Sequence, residues 1–188
     1  MTHLSDLQLI LFFTDGVSLS TWEKGGLFDR EVALYLALRP HLRGITFVTY
    51  GDARDLDFAV RLGDIRIVCN RWRLNRRWYM RLLPFLLHRN LRGPVIFKSN
   101  QINGAEAPLD LAQRFGQPGI TRCGYLISDR MAWHQGDQAP ETRTARKREQ
   151  IVFSRAQACV VSAPHMKTVL ERDYAIPPGH VRVIPNYV

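Results

Sequence analysis

Short apolar runs and longer amphipathic stretches take turns along this chain. Residues 7–14, 45–50, 65–69, 95–98, 119–123, 158–162 and 181–184 are mostly apolar, several are rich in β-branched residues, and three of the runs directly follow a Gly or an Asp. Runs of this length with little polar alternation predict strands buried on both faces, as in a parallel sheet. Between them, residues 27–39, 73–89, 106–115, 142–156 and 164–173 carry apolar positions at helical spacing, with a weaker helix over 54–62. Repeated βα units follow, and with them an α/β fold: a Rossmann-like, doubly wound, mainly parallel sheet in one domain over residues 1–188. No short repeat or low-complexity tract competes with that reading. Ligands of such sheets bind beyond the carboxyl ends of the strands, where the 14–26 and 123–128 loops emerge.

The first of these places is the most distinctive. Residues 14–31 read Thr-Asp-Gly-Val-Ser-Leu-Ser-Thr-Trp-Glu-Lys-Gly-Gly-Leu-Phe-Asp-Arg-Glu, a long loop from the first strand into the first helix, with Gly25-Gly26 at the junction. Paired glycines let the backbone turn freely and let a ligand approach the unpaired N–H groups of the first helical turn. Those donors, with the positive end of the helix dipole, favour an anion such as a phosphate. A plain turn into the helix is the alternative.

Composition narrows the setting. A domain of 188 residues can bury about 70% of its unfolded surface and needs no disulfides. The three cysteines, Cys69, Cys123 and Cys159, are far apart and beside apolar segments, which suits packing in a reducing cytoplasm and leaves no CxxC spacing for zinc. The first residues lack the basic lead of a secretory signal, and no apolar run approaches the roughly 20 residues of a membrane span. A cytoplasmic protein is expected, with neither metal nor cofactor. The formal charge of +9 comes from 26 basic residues, of which only Lys24, Lys98, Lys147 and Lys167 are lysines. An arginine-rich surface fits nucleic acid, phospholipid headgroups or a phosphate-bearing substrate, and equally fits mere solubility.

Neither GxxxxGK[ST] nor GxGxxG occurs, so the common nucleotide motifs are absent. Three other stretches stand out in order: Gly25-Gly26 before an amphipathic helix; Arg146-Lys147-Arg148-Glu149 in a helix running into Ala158-Cys159-Val160-Val161-Ser162-Ala163; and Val181-Arg182-Val183-Ile184-Pro185-Asn186-Tyr187-Val188. Together they resemble the N-terminal half of retaining family 4 glycosyltransferases of the GT-B fold, over nearly the whole chain. The resemblance implies an acceptor-side domain, with the donor-binding second domain absent from these residues and the isolated chain inactive. It implies a nucleotide-sugar donor, a glycan or lipid-linked acceptor, and Gly25 and Gly26 against the donor diphosphate, where Lys24 would add a cation. Cys123 stands where many members carry a histidine, so no catalytic residue is assigned; a thiol without a histidine partner is a poor general base.

Further polar residues fall at predicted strand ends. Arg122 and Tyr125 suit orientation of a ligand by charge and ring stacking, and Lys98, Asn100 and Gln101 suit hydrogen bonds to sugar hydroxyls. Ser99 and Asn100 suit helix capping as well. Asp15, Ser18, Ser20 and Trp22 line the first loop; Trp22 either stacks on a ligand or pins the loop to the core. Over 71–92, Arg73, Arg76, Arg77 and Arg81 share one helical face, while Trp78, Tyr79, Leu82, Leu83 and Leu86 share the other, with Pro84 as a kink. Such a face either docks on an anionic membrane, making the protein peripheral on the inner membrane face, or is the solvated side of a crossover helix. A nucleic-acid binder and a catalytically silent α/β interaction domain remain as other classes. No nucleic acid is expected as partner, because the arginines are scattered and no recognised binding motif accompanies them.

Overall fold

A computed structural model describes residues 3–89, 91 and 93–186. Each apolar run supplies one strand: β1 (Gln8–Phe12), β2 (Gly44–Val48), β3 (Arg66–Val68), β4 (Val95–Ser99), β5 (Gly119–Cys123), β6 (Ala158–Val161) and β7 (Val181–Val183). All neighbours pair in parallel, in the order β3-β2-β1-β4-β5-β6-β7. The helices are α1 (Leu19–Lys24), α2 (Phe28–Leu38), α3 (Ala59–Leu62), α4 (Arg76–His88), α5 (Glu106–Arg114), α6 (Ile127–Gln135), α7 (Pro140–Arg155) and α8 (Pro164–Arg172). The fold is α/β, one all-parallel sheet flanked by helices, consistent with the Rossmann-like doubly wound class.

Right-handed crossovers decide which face each helix covers. From β1 to β3 the chain moves one way across the sheet; Leu9, Leu11, Phe13 and Phe47 pack under Leu19, Trp22, Phe28, Val32 and Tyr35. Past β3 the chain crosses back. Ile10, Phe12 and Phe97 then pack on the opposite face against Tyr79, Leu83 and Leu87 of α4. Further on, Cys123, Cys159, Val161 and Val181 meet Val152, Phe153, Met166 and Leu170 on that same face. The alternating positions Ile120, Arg122, Ala158, Val160 and Arg182 stay half-buried or exposed. The β1–β3 half is thus covered on both sides and the β5–β7 half on one.

Several expectations need correction. The 14–31 stretch is no continuous loop, because it contains α1. Ser18 Oγ accepts from the Thr21 N–H at 3.0 Å and Thr21 Oγ1 from the Ser18 N–H at 3.4 Å, a reciprocal cap. Gly26, at φ 65°, ends the helix: its N–H donates to Glu23 O at 3.0 Å and the Leu27 N–H to Trp22 O at 2.8 Å. That is the Schellman pattern, which needs a left-handed residue at this position. A helix of only six residues is too short for periodicity to reveal. Helix α6 was not foreseen either; of its residues only Ser128 is buried, so it shows no apolar stripe. The 54–62 stretch divides into a 3-10 helix, Ala53–Phe58, and α3. Helix α4 begins later than residue 73, because Asn75 caps it through the Trp78 N–H and Arg73 is left-handed at φ 52°. Helix α7 begins earlier than residue 142, at Pro140. Arg92, Tyr187 and Val188, which belong to stretches singled out above, lie outside the described residues.

Candidate functional site

At the carboxyl end of the sheet, β4 turns a lysine toward α2. Lys98 pairs in register with Ile120 and Leu11 and projects between α2 and the uncovered half of the sheet. Its Nζ donates to the Tyr35 hydroxyl of α2 at 3.0 Å, 5.5 Å from the ring centroid. Arg122, on β5, lies on the same side. Its guanidinium donates to Asn100 O at 3.3 Å and to Asn186 Oδ1 at 2.6 Å. Gln101 Oε1 accepts from the Gly124 N–H at 2.8 Å, and the Asn100 N–H donates to Phe12 O at 2.8 Å, so the loops after β4 and β5 are tied to each other and to β1.

These groups enclose a cavity of about 150 Å³, with Arg30, Glu31, Leu34 and Tyr35 on the α2 side and Lys98, Asn100, Gln101, Arg122 and Asn186 on the other. Burial pushes the Lys98 ammonium down to about 7, the nearby Arg122 charge adds to the shift, and Glu31 opposes it. Burial likewise holds the Tyr35 phenol well above its ordinary range, so it is a neutral partner.

Two buried carboxylates brace the helices that leave this end of the sheet. Asp55, 1% exposed, accepts from the Leu19 and Ser20 N–H groups at 3.2 Å each, from Ser20 Oγ at 3.2 Å and from Thr49 Oγ1 at 2.6 Å. It holds the first turn of α1. A Cβ on Gly51 would run into that carboxylate. Glu149, also 1% exposed, accepts from the Ile127 and Ser128 N–H groups at 2.6 and 3.1 Å, from Ser128 Oγ at 2.6 Å and from the Tyr174 hydroxyl at 2.7 Å. It holds the first turn of α6.

The structure therefore brings together Lys98, Asn100, Gln101 and Arg122, and separates them from other candidates. Trp22, 4% exposed, stacks on Phe13 with ring centroids 3.9 Å apart, so it pins α1 to the core and has no free face for a ligand. Cys123 is fully buried, its thiol donates to Tyr125 O at 2.9 Å, and burial, then the Glu149 charge, pushes it up to about 12. It is a packing residue. Tyr125 is 54% exposed outside the cavity lining, with the Arg130 guanidinium 5.8 Å from its ring centroid. Asp15 is engaged by Arg76 at 2.8 Å. Ser18 and Ser20 serve the α1 cap. Lys24, Gly25 and Gly26 are exposed where α1 ends, and the N–H groups of Gly25, Gly26 and Leu27 are engaged in that cap.

The basic helix also differs from its expected form. Tyr79, Leu83 and Leu87 form the buried stripe of α4, whereas Trp78 is 56% exposed with the Arg81 guanidinium 5.1 Å from its ring centroid. At about 100° per residue, position 78 falls outside a stripe centred on 79, 83 and 87. Arg73 pairs with Asp52 at 3.0 Å and Arg76 with Asp15, leaving Arg77 and Arg81 beside Trp78 without an ion-pair partner among the described residues.

Sequence reasoning missed Tyr35, Arg30, Glu31 and Asn186 as cavity residues. A usable signal existed for Tyr35. A lysine inside an apolar strand and a tyrosine on the apolar face of a helix each need a polar partner, and here they supply one another. A comparison of the chain with protein-family models gives no match, and neither does a comparison with curated proteins.

Proposed function

We propose that this chain is the acceptor-side half of a retaining, nucleotide-sugar-dependent glycosyltransferase that transfers a sugar to a glycan or lipid-linked acceptor. The observation that carries the reading is the polar, cationic cavity at the carboxyl end of the sheet, formed by residues that hydrogen-bond readily to sugar hydroxyls and anions. The order of the resembling stretches along a doubly wound sheet supports it too. In this reading a second domain holds most of the donor, and the first turn of α2, exposed at Leu27, Asp29 and Arg30 with Phe28 in the core, faces the donor diphosphate with Lys24 nearby. Leu27 gives that turn no side-chain cap, and a Cβ on Gly26 would meet nothing within 4 Å, so the approach is open. The test is a panel of nucleotide-sugars, with binding and release of nucleoside diphosphate as readouts. The chain alone is expected to bind weakly and turn over nothing, and the full-length gene product to release nucleoside diphosphate. Robust turnover by the chain alone, or no interaction with either protein, overturns the reading.

Attachment to an anionic membrane belongs to the same proposal. Its support is the outer face of α4, where Trp78 and Phe85, 56% and 68% exposed, accompany Arg77 and Arg81. Aromatic rings beside arginines suit a headgroup layer, and each arginine near an anionic leaflet adds about 1 kcal/mol. No helix of the described residues is long and apolar enough to cross a membrane. Co-sedimentation with anionic and neutral vesicles is the check. Binding is expected to need anionic lipid, to fall with salt, and to drop when Trp78 and Phe85 become alanine; equal binding to both vesicle types removes this part of the proposal.

A further inference from the structure

The cavity between α2 and the ends of β4 and β5 carries more positive charge than its packing uses. We propose that it binds a compact phosphate-bearing ligand, with the Lys98 ammonium and the Arg122 guanidinium as anchoring donors. Calling that ligand the acceptor rests on the glycosyltransferase reading, whereas the anion site itself stands on the geometry.

Donor satisfaction is the first support. An ammonium has three N–H donors, and the Tyr35 hydroxyl is the only hydrogen-bond partner of Lys98 among the described residues. The remaining donors belong to a side chain that lines the cavity. Charge is the second. Arg30, Lys98 and Arg122 converge on the space against one carboxylate, Glu31, which Arg30 already engages at 2.8 Å. Arg122 is held in place by Asn100 O and Asn186 Oδ1, so little side-chain freedom remains to be lost on meeting an anion. Size is the third. The volume of about 150 Å³ lies well under the roughly 300 Å³ at which pockets for drug-sized ligands begin, so a whole nucleotide-sugar does not fit. A phosphate group with the nearest part of its substituent does, and Asn100 and Gln101 are at hand for a hydroxyl.

The charged and titratable groups around Lys98 are Tyr35, Glu31 and the Arg30 that pairs with it on α2, and Arg122 on β5; on β1 its neighbour is Leu11. An anion would supply the counter-charge that this set lacks. Because the ammonium titrates near 7, an anion of constant charge should bind more tightly as pH falls through that value.

Isothermal titration calorimetry with sulfate, inorganic phosphate, glucose 6-phosphate and glucose tests the site. Saturable binding of the three anions and none of glucose is expected, with Lys98→Met and Arg122→Gln each weakening the anions at least about tenfold. Sulfate affinity should fall about tenfold from pH 6 to pH 9 in the parent and stay flat in Lys98→Met. Vesicles containing phosphatidic acid form a second arm. Lys98-dependent vesicle binding assigns the phosphate to a lipid headgroup, and Lys98-independent or absent vesicle binding assigns it to a soluble ester. No saturable anion binding by the folded parent overturns the proposal, as does undiminished binding in both variants. Should one variant not fold, the other and the parent's pH profile decide. Anion binding without any nucleotide-sugar chemistry in the full-length product keeps this site and removes the glycosyltransferase reading; the reverse result does the opposite.

Discussion

Two buried carboxylates and one partly buried lysine lie near the carboxyl end of the sheet, and the carboxylates are treated quite differently from the lysine. Asp55 and Glu149 are each surrounded by two backbone N–H groups and two hydroxyls. Lys98 has a single hydroxyl and a cavity. A buried charge whose hydrogen bonds are all made inside the protein is part of the scaffold, because any ligand would have to displace a good partner. A buried charge short of partners costs stability and persists where something else can complete it. The contrast separates bracing from binding without reference to any relative.

The strongest way to break the contrast is to remove a carboxylate. Asp55→Ala and Glu149→Ala should each lower stability by about 3 kcal/mol, because four donors in or near the core lose their acceptor. Urea denaturation followed by circular dichroism measures this, and the losses should add in the double variant since the two sites share no partner. A loss under about 1 kcal/mol for either would show that water or a neighbour replaces it, and the scaffold reading of that carboxylate would fail.

A smaller effect is expected at the other end of α1. Gly26→Val should cost about 2 kcal/mol, because a β-branched residue is forced to φ 65°, whereas Gly26→Asn should cost well under 1 kcal/mol. Equal stability of the two variants would mean that the cap rearranges at no cost. The smallest effect on stability at neutral pH belongs to Lys98→Met, expected within about 1 kcal/mol of the parent, since an apolar side chain needs no counter-charge. Its signature is in pH. With the folded-state ammonium at about 7, below the ordinary lysine value of 10.5, the unfolded chain holds more protons between those limits. Parent stability should therefore rise, relative to the variant, as pH climbs from 7 toward 10.5. Urea midpoints of both proteins at pH 6.5 and 9.5 give the comparison, and parallel midpoints would show that Lys98 is not held against its charge.

The strands and the larger helices were legible because their signals are local: apolar runs for β1 to β7, helical spacing for α2, α4, α5, α7 and α8. What escaped is long-range. The helices α1 and α6 are each held at the first turn by a carboxylate from far along the chain, Asp55 for Leu19 and Glu149 for Ile127, and no window around residue 19 or 127 contains that partner. The Gly25-Gly26 pair was conspicuous, but the sequence did not distinguish a glycine that ends one helix from a glycine that opens the next. For the site, Lys98, Asn100, Gln101 and Arg122 could be read from polar residues at strand ends. Tyr35 was harder to place, because its ring occupies a core position in α2 and only its hydroxyl, which needs a polar partner there, reaches the cavity. Trp78 misled because a broad amphipathic pattern does not say which residues at its margin are covered.

The strand order has a consequence for how the chain must assemble. Strand β1 is synthesised before the other six, yet it lies between β2 and β4, and the β4 side stays open until the crossover through α4 has been made. Pairing across that span is non-local and therefore slow. Until then an apolar edge, Leu9 to Phe12, has unpaired backbone groups on one side and lacks the α4 cover on one face. Open edges of that kind recruit other strands, so a growing or refolding chain is most prone to aggregate before β4 arrives. Of the strands paired on both sides in the finished molecule, β1 is the one whose second neighbour follows it at the greatest distance along the chain.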